Sequence, residues 1–151
     1  MAKTVYTAQA TVTGGRAEGH GVTNDGALEI DLRTPVEMGG PGGGTNPEQL
    51  FAVGYAACFE GALGVVGRRE RAEVGDVTIL SRVSLVTTEE RGFNVAVELD
   101  VRLPQVSDPE QAVRIVAAAH KVCPYSNATR GNIDVRLTAN GQEVGVPAAT
   151  S

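Results

Sequence analysis

The sequence predicts an α+β fold in which an antiparallel sheet packs around one long, central, apolar helix and a second, shorter helix. Three observations predict it. Segments that alternate apolar and polar residues with a period of two recur near both ends and through the middle of the chain. Two other segments open on a capping residue, a proline and an acid, and then continue as apolar helical runs. The strand segments come in adjacent pairs around turns, which argues against a doubly wound parallel sheet. The 151 residues fit one domain, residues 1–151, that buries roughly two-thirds of the surface its unfolded chain exposes.

Tyr6, Ala8, Ala10 and Val12 alternate with Thr7, Gln9 and Thr11, the period of a half-buried strand, and Gly14-Gly15 breaks it. A second strand over 28–32 follows Asn24-Asp25-Gly26, so the two are expected to form an antiparallel hairpin with a long connection that carries Arg16. The run Gly39-Gly40-Pro41-Gly42-Gly43-Gly44 reads as a mobile or tightly folded loop. It leads into Thr45-Asn46-Pro47-Glu48-Gln49, where Thr45 or Asn46 caps a helix and Pro47 fits its first turn. This first helix is expected from near Pro47 to about Arg69. Strands follow over 74–87 and 93–103 around the turn Glu89-Glu90-Arg91-Gly92. Ser107-Asp108-Pro109-Glu110 opens a second helix that Cys123-Pro124 ends, with Ser126, Thr129 and Arg130 read as turn residues. A last strand over 133–137 precedes a Gly/Pro/Ala tail expected to fray.

Charge narrows the function. A formal net charge of −5 with no Lys/Arg cluster lacks the electrostatic footprint of a nucleic-acid or anionic-membrane partner. The start of the chain shows no basic and then apolar leader, so a reducing cytoplasm is the expected compartment. The apolar run from Leu50 to Val66 is shorter than the ~20 residues of a membrane span and is interrupted by Glu60 and glycines. It reads as a buried helix, apolar on nearly all sides. Covering it all round favours a dimer with this helix at the interface.

Cys58 and Cys123 are the residues that carry chemistry, either as a redox couple or as two small buried hydrophobes. Cys58 lies about three turns into its helix, beyond reach of the N-terminal dipole, and burial by itself disfavours its thiolate. A working Cys58 therefore needs an imported cation. Arg16 is the candidate, with a pull bounded by roughly 4 kcal/mol at an effective dielectric of ~20 and ~4 Å, and Glu48 is placed to hold it by a bidentate pair. Ten residues separate Glu48 from Cys58, about 15 Å along a straight helix, so the arginine must reach far, the helix must bend, or the pair must come from a partner subunit. Cys123, at a helix C-terminus, suits the part of a resolving thiol that condenses with a sulfenic acid. His20 and His120 with the two cysteines lack the spacing of a zinc site, so no metal is expected. The same spacing argument weighs against a Cys-x-x-Cys disulfide oxidoreductase. A non-catalytic thiol sensor or ligand-binding dimer stays open as the other reading.

Thr13-Gly14-Gly15-Arg16, Gly44-Thr45-Asn46-Pro47-Glu48-Gln49-Leu50-Phe51, Gly54-Tyr55-Ala56-Ala57-Cys58-Phe59 and the stretch from Val122-Cys123-Pro124-Tyr125-Ser126-Asn127 to Ile133 together resemble the organic hydroperoxide resistance proteins of the OsmC-like family. The resemblance implies an intertwined α+β homodimer with interfacial sites. It implies a thiol peroxidase that reduces organic and fatty-acid hydroperoxides, with Cys58 as peroxidatic thiol, Cys123 as resolving thiol, and Arg16 with Glu48 as activating pair. It also implies no bound cofactor, and a dihydrolipoyl group on a lipoylated protein, or another dithiol, as reductant. Phe51 and Phe59, apolar neighbours of Cys58, are expected to bind the substrate's apolar part.

Overall fold

The structure is a computed structural model that describes residues 2–145. Of the tail expected to fray after residue 137, residues 146–151 lie outside the described residues, whereas Gln142–Val144 form a further strand. The chain divides into two compact units, one up to Leu50 and one from Phe51 onward.

In the first unit β1 (Ala10–Thr13), β2 (Glu18–Thr23) and β3 (Glu29–Arg33) form an antiparallel sheet in that order. The expected hairpin is thus a three-stranded meander, and the long connection holds a strand of its own. Thr13 lies opposite His20, so only residues 14–17 turn the chain, and Arg16 rides on this turn. Gly14 is required there: its φ is 77°, and a Cβ would fall 2.3 Å from the Glu18 carbonyl oxygen. The first strand is shorter than the alternation predicted and its residues are exposed.

After β3 the glycine-rich loop folds tightly, with Gly40 N–H donating to Pro35 O and Gly42 N–H to Thr34 O. It then returns to β3 and pairs parallel with it at Leu32 and Thr45, where Arg33 N–H donates to Thr45 O at 3.0 Å and Thr45 N–H to Asp31 O at 2.8 Å. This return delivers the chain to the start of α1 (Pro47–Glu70). Asn46 is the residue that caps it, its Oδ1 accepting Gln49 N–H at 2.9 Å.

In the second unit β4 (Thr78–Thr87), β5 (Phe93–Arg102), β6 (Val135–Ala139) and β7 (Gln142–Val144) lie in sequence order across one sheet. β4–β5 and β6–β7 are antiparallel, whereas β5–β6 is parallel, because α2 (Pro109–Val122) crosses between them and packs on β6 and β7. Alternate residues of β5, Val97, Leu99 and Val101, face inward. They join Tyr55, Phe59 and Leu63 of α1 and Ile115, Val116 and Ala119 of α2 in one core. By length and composition α1 could cross a membrane, yet its buried residues are part of this core. Its other face carries Val53, 72% exposed, and Ala57.

Asp108 caps α2 by accepting Glu110 N–H. The helix does not simply stop at Cys123. Cys123 N–H donates to Ala119 O, closing α2, while Cys123 O accepts Asn127 N–H and opens a second helix, α3 (Pro124–Thr129). Pro124 at the first position of α3 forfeits no needed donor. Ser126 and Thr129, read as turn residues, are therefore helical, Arg130 is the turn residue that caps α3, and Cys123 is the single residue of an elbow between two helices.

Candidate active site

Arg16 and Glu48 meet within the first unit. The guanidinium binds the carboxylate by two bonds, Nη2 to Oε1 at 2.8 Å and Nη1 to Oε2 at 3.3 Å. Burial alone would raise the Glu48 pKa. The hydrogen bond from Arg16, the residue's own backbone N–H and the charge of Arg16 outweigh that and hold it below the usual carboxylate value. Glu48 is thus an anion in the first turn of α1, and its bond fixes the direction of a guanidinium that remains partly open to solvent.

The two thiols meet within the second unit. Both are free, Cys58 half-buried and Cys123 closed to solvent. Burial pushes the Cys58 thiol up, the Tyr125 backbone N–H that bonds it pulls down, and the hydrogen bond and charge of Cys123 add to the rise. None of these groups is a cation. The elbow explains how Cys123 and Tyr125 both reach Cys58: they flank Pro124 at the start of α3.

Gly54, one turn before Cys58 on α1, receives the Tyr125 ring. A Cβ there would lie 2.9 Å from Tyr125 Oη and 3.4 Å from the ring. Phe51, Tyr55 and Tyr125 form a cluster, with Phe51–Tyr125 and Tyr55–Tyr125 centroids both 5.7 Å apart. Beside it opens a cavity of about 400 Å³ lined by Phe51, Val95, Tyr125, Ala128 and Ile133, with Asn94 and Asn132 among its polar groups. Phe51 is therefore on a cavity wall. Phe59 is not: its ring is fully buried in the core, where ~2 kcal/mol of apolar burial holds it, so the expectation that it touches substrate is corrected.

Behind Cys123 lies a buried polar network that the sequence reading missed. Tyr55 Oη is 2.8 Å from Ser126 Oγ and 3.2 Å from Thr129 Oγ1, and Ser126 Oγ is 2.8 Å from His120 Nδ1. Thr129 Oγ1 donates to Tyr125 O at 2.9 Å, and the Arg130 side chain donates to the His120 carbonyl. Burial, with the charge of Arg130, pushes the His120 pKa down to about 4, so the ring is neutral at pH 7. The available signal was the spacing of Ser126 and Thr129, i and i+3 after a Cys-Pro helix start, which places two hydroxyls on one face. His20 is engaged differently, between Asp31 at 2.9 Å and Glu29 at 3.0 Å on the exposed face of β2–β3.

Comparison with known proteins gives these groups a lineage. The family model described as OsmC-like protein matches residues 40–138, well over half of the chain. The chain belongs to the OsmC-like family. It is 53% identical over 138 residues to an organic hydroperoxide resistance protein of Xanthomonas axonopodis pv. citri, a match covering 90% of this chain and 95% of the relative. It is 48% identical over 134 residues to the organic hydroperoxide resistance protein OhrB of Bacillus subtilis, covering 88% and 96%. The crystal structure of an organic hydroperoxide resistance protein from Legionella pneumophila superposes with a TM-score of 0.84 at 50% identity, covering 89% of this chain and 97% of that one. The OsmC-like match includes Glu48, both cysteines and the α2–α3 elbow, while Arg16 precedes it.

Proposed function

We propose that this chain is a thiol-dependent peroxidase that reduces organic hydroperoxides, fatty-acid hydroperoxides among them, to alcohols and thereby protects against oxidative stress. The observation that carries the reading is the pair of free thiols that interact with each other, one half-buried and one closed, with Tyr125, whose backbone N–H bonds Cys58, also walling an apolar cavity. Its relatives' names, organic hydroperoxide resistance proteins, support the substrate class.

In the proposed cycle the Cys58 thiolate attacks the distal peroxide oxygen. The O–O bond breaks, the alkoxide takes a proton and leaves as alcohol, and Cys58 becomes a sulfenic acid. The Cys123 thiol then attacks that sulfur, forming the Cys58–Cys123 disulfide and releasing water. A dithiol, for which a dihydrolipoyl group on a lipoylated protein is the proposed carrier, reduces the disulfide by exchange and is itself oxidised to a disulfide. No bound cofactor takes part. Arg16, held by Glu48, is assigned as the cation that favours the thiolate and the departing alkoxide charge. Phe51 and Tyr125 wall the cavity for the substrate's apolar part. The protein is proposed to work in a reducing cytoplasm as a homodimer that joins through the exposed face of α1.

The test is a steady-state peroxidase assay with lipoyl or monothiol reductant and cumene hydroperoxide or hydrogen peroxide. Turnover is expected to be fastest with the organic hydroperoxide and the lipoyl dithiol. Cys58→Ser should abolish it, and Cys123→Ser should leave one round of oxidation followed by inactivation. Equal rates in all four combinations, or turnover by Cys58→Ser, would overturn the reading.

A further inference from the structure

We propose that the buried network of Tyr55, Ser126 and His120 is a positioning device for Cys123, which pins the α2–α3 elbow against α1 and so governs disulfide closure rather than peroxide attack. The inference rests on the peroxidase reading above. Its basis is geometric. Ser126 Oγ is the hub, bonded at 2.8 Å both to Tyr55 on α1 and to His120 on α2, while Ser126 itself belongs to α3. One fully buried hydroxyl therefore ties together the three elements that meet at the thiols. Cys123 has extended backbone angles between two helices, so the direction of its side chain depends on how those helices are held.

The chemistry gives this placement a consequence. Closure forms an S–S bond of ~2.05 Å with Cβ atoms ~3.8 Å apart, a narrow geometry to reach from two separate thiols. The sulfenic acid on Cys58 has two fates. Attack by the Cys123 sulfur breaks the Cys58 S–OH bond, forms the disulfide, and releases the hydroxyl with the thiol proton as water. Attack by the sulfenate on a second hydroperoxide instead yields the sulfinic acid and another alcohol. The first fate depends on where Cys123 is held, and the second does not. A looser elbow therefore diverts Cys58 to sulfinic acid.

The experiment treats reduced protein with increasing cumene hydroperoxide and measures by intact-mass spectrometry the ratio of disulfide to sulfinic acid. Tyr55→Phe and Ser126→Ala remove the hydroxyls, and Val101→Ala, in the core of β5, is the control for general destabilisation. The two hydroxyl variants are expected to lower the ratio about tenfold, equivalent to ~1.4 kcal/mol between the competing steps, while Val101→Ala leaves it within about twofold. A ratio unchanged in a folded hydroxyl variant, or lowered equally by Val101→Ala, would overturn the inference alone. If Tyr55→Phe does not fold, Ser126→Ala decides. A wild-type protein that forms neither product would overturn the peroxidase reading and this inference with it.

Discussion

Glu48 stands where two demands coincide. Its position in the first turn of α1 favours an anion, and the bidentate bond to Arg16 keeps that anion paired. The sequence made this pair legible, because a glycine-flanked arginine and a first-turn acid are complementary in charge and geometry. It did not make Tyr55, Ser126 and His120 legible, because a tyrosine inside an apolar helix and a serine after Cys-Pro each have an ordinary explanation alone. Only the fold brings their oxygens and nitrogen within 2.8 Å. The Arg16 assignment has a direct kinetic signature. Burial leaves Cys58 with a raised pKa, so reactivity limited by the thiolate must increase with pH. If Arg16 favours that thiolate, Arg16→Ala should move the rising limb of kcat/KM to higher pH and lower kcat/KM at pH 7 about 10²-fold. An unchanged profile would remove Arg16 from the proposed site.

At the scale of elements, α1 was read from sequence almost to the residue, because cap, proline, apolar run and closing arginines all agree. β2 was missed for an equally physical reason. Its buried positions are Gly19 and Gly21, so an inward face exists with no apolar side chains to announce it. The α3 helix was missed because Cys123-Pro124 is at once a stop for α2 and a start for the next helix. Cys123, expected at a helix C-terminus, thus stands both at the end of α2 and at the start of α3. The face of α1 opposite the core bears Val53 and Ala57 exposed, which is where the proposed dimer would join. Introducing a charge there, Val53→Asp, should dissociate the dimer, read as a halved mass in light scattering, with helical content retained. A wild-type protein already monomeric at micromolar concentration would refute the proposed interface.

For the whole molecule, the two histidines give opposite contributions to stability against pH. His20 is raised, chiefly by its hydrogen bond to Asp31, which with the smaller contributions of Glu29 and the charges of both acids outweighs the opposing effect of burial. Its contribution is complete below the unfolded value of 6.5 and is lost as pH rises through its elevated folded value. His120 is depressed to about 4 by burial and by Arg130. Between pH 6.5 and about 4 the unfolded chain therefore binds a proton that the folded chain refuses, and stability falls as pH falls through that window. The full loss is on the order of 3 kcal/mol, a large part of a typical domain's stability. Glu48 is depressed from 4.5, so its contribution is present above that value and is lost only at still lower pH, as its folded value is passed. The acid-side decline should accordingly begin with His120, before the carboxylates take part. Urea unfolding at pH 7.5 and pH 5 should show the wild type losing about 1–2 kcal/mol more than His120→Asn, whose amide can occupy the Nδ1 position beside Ser126 without titrating. Equal losses in the two proteins would mean that His120 takes up its proton in the folded state, and the neutral ring assigned to the network would be wrong.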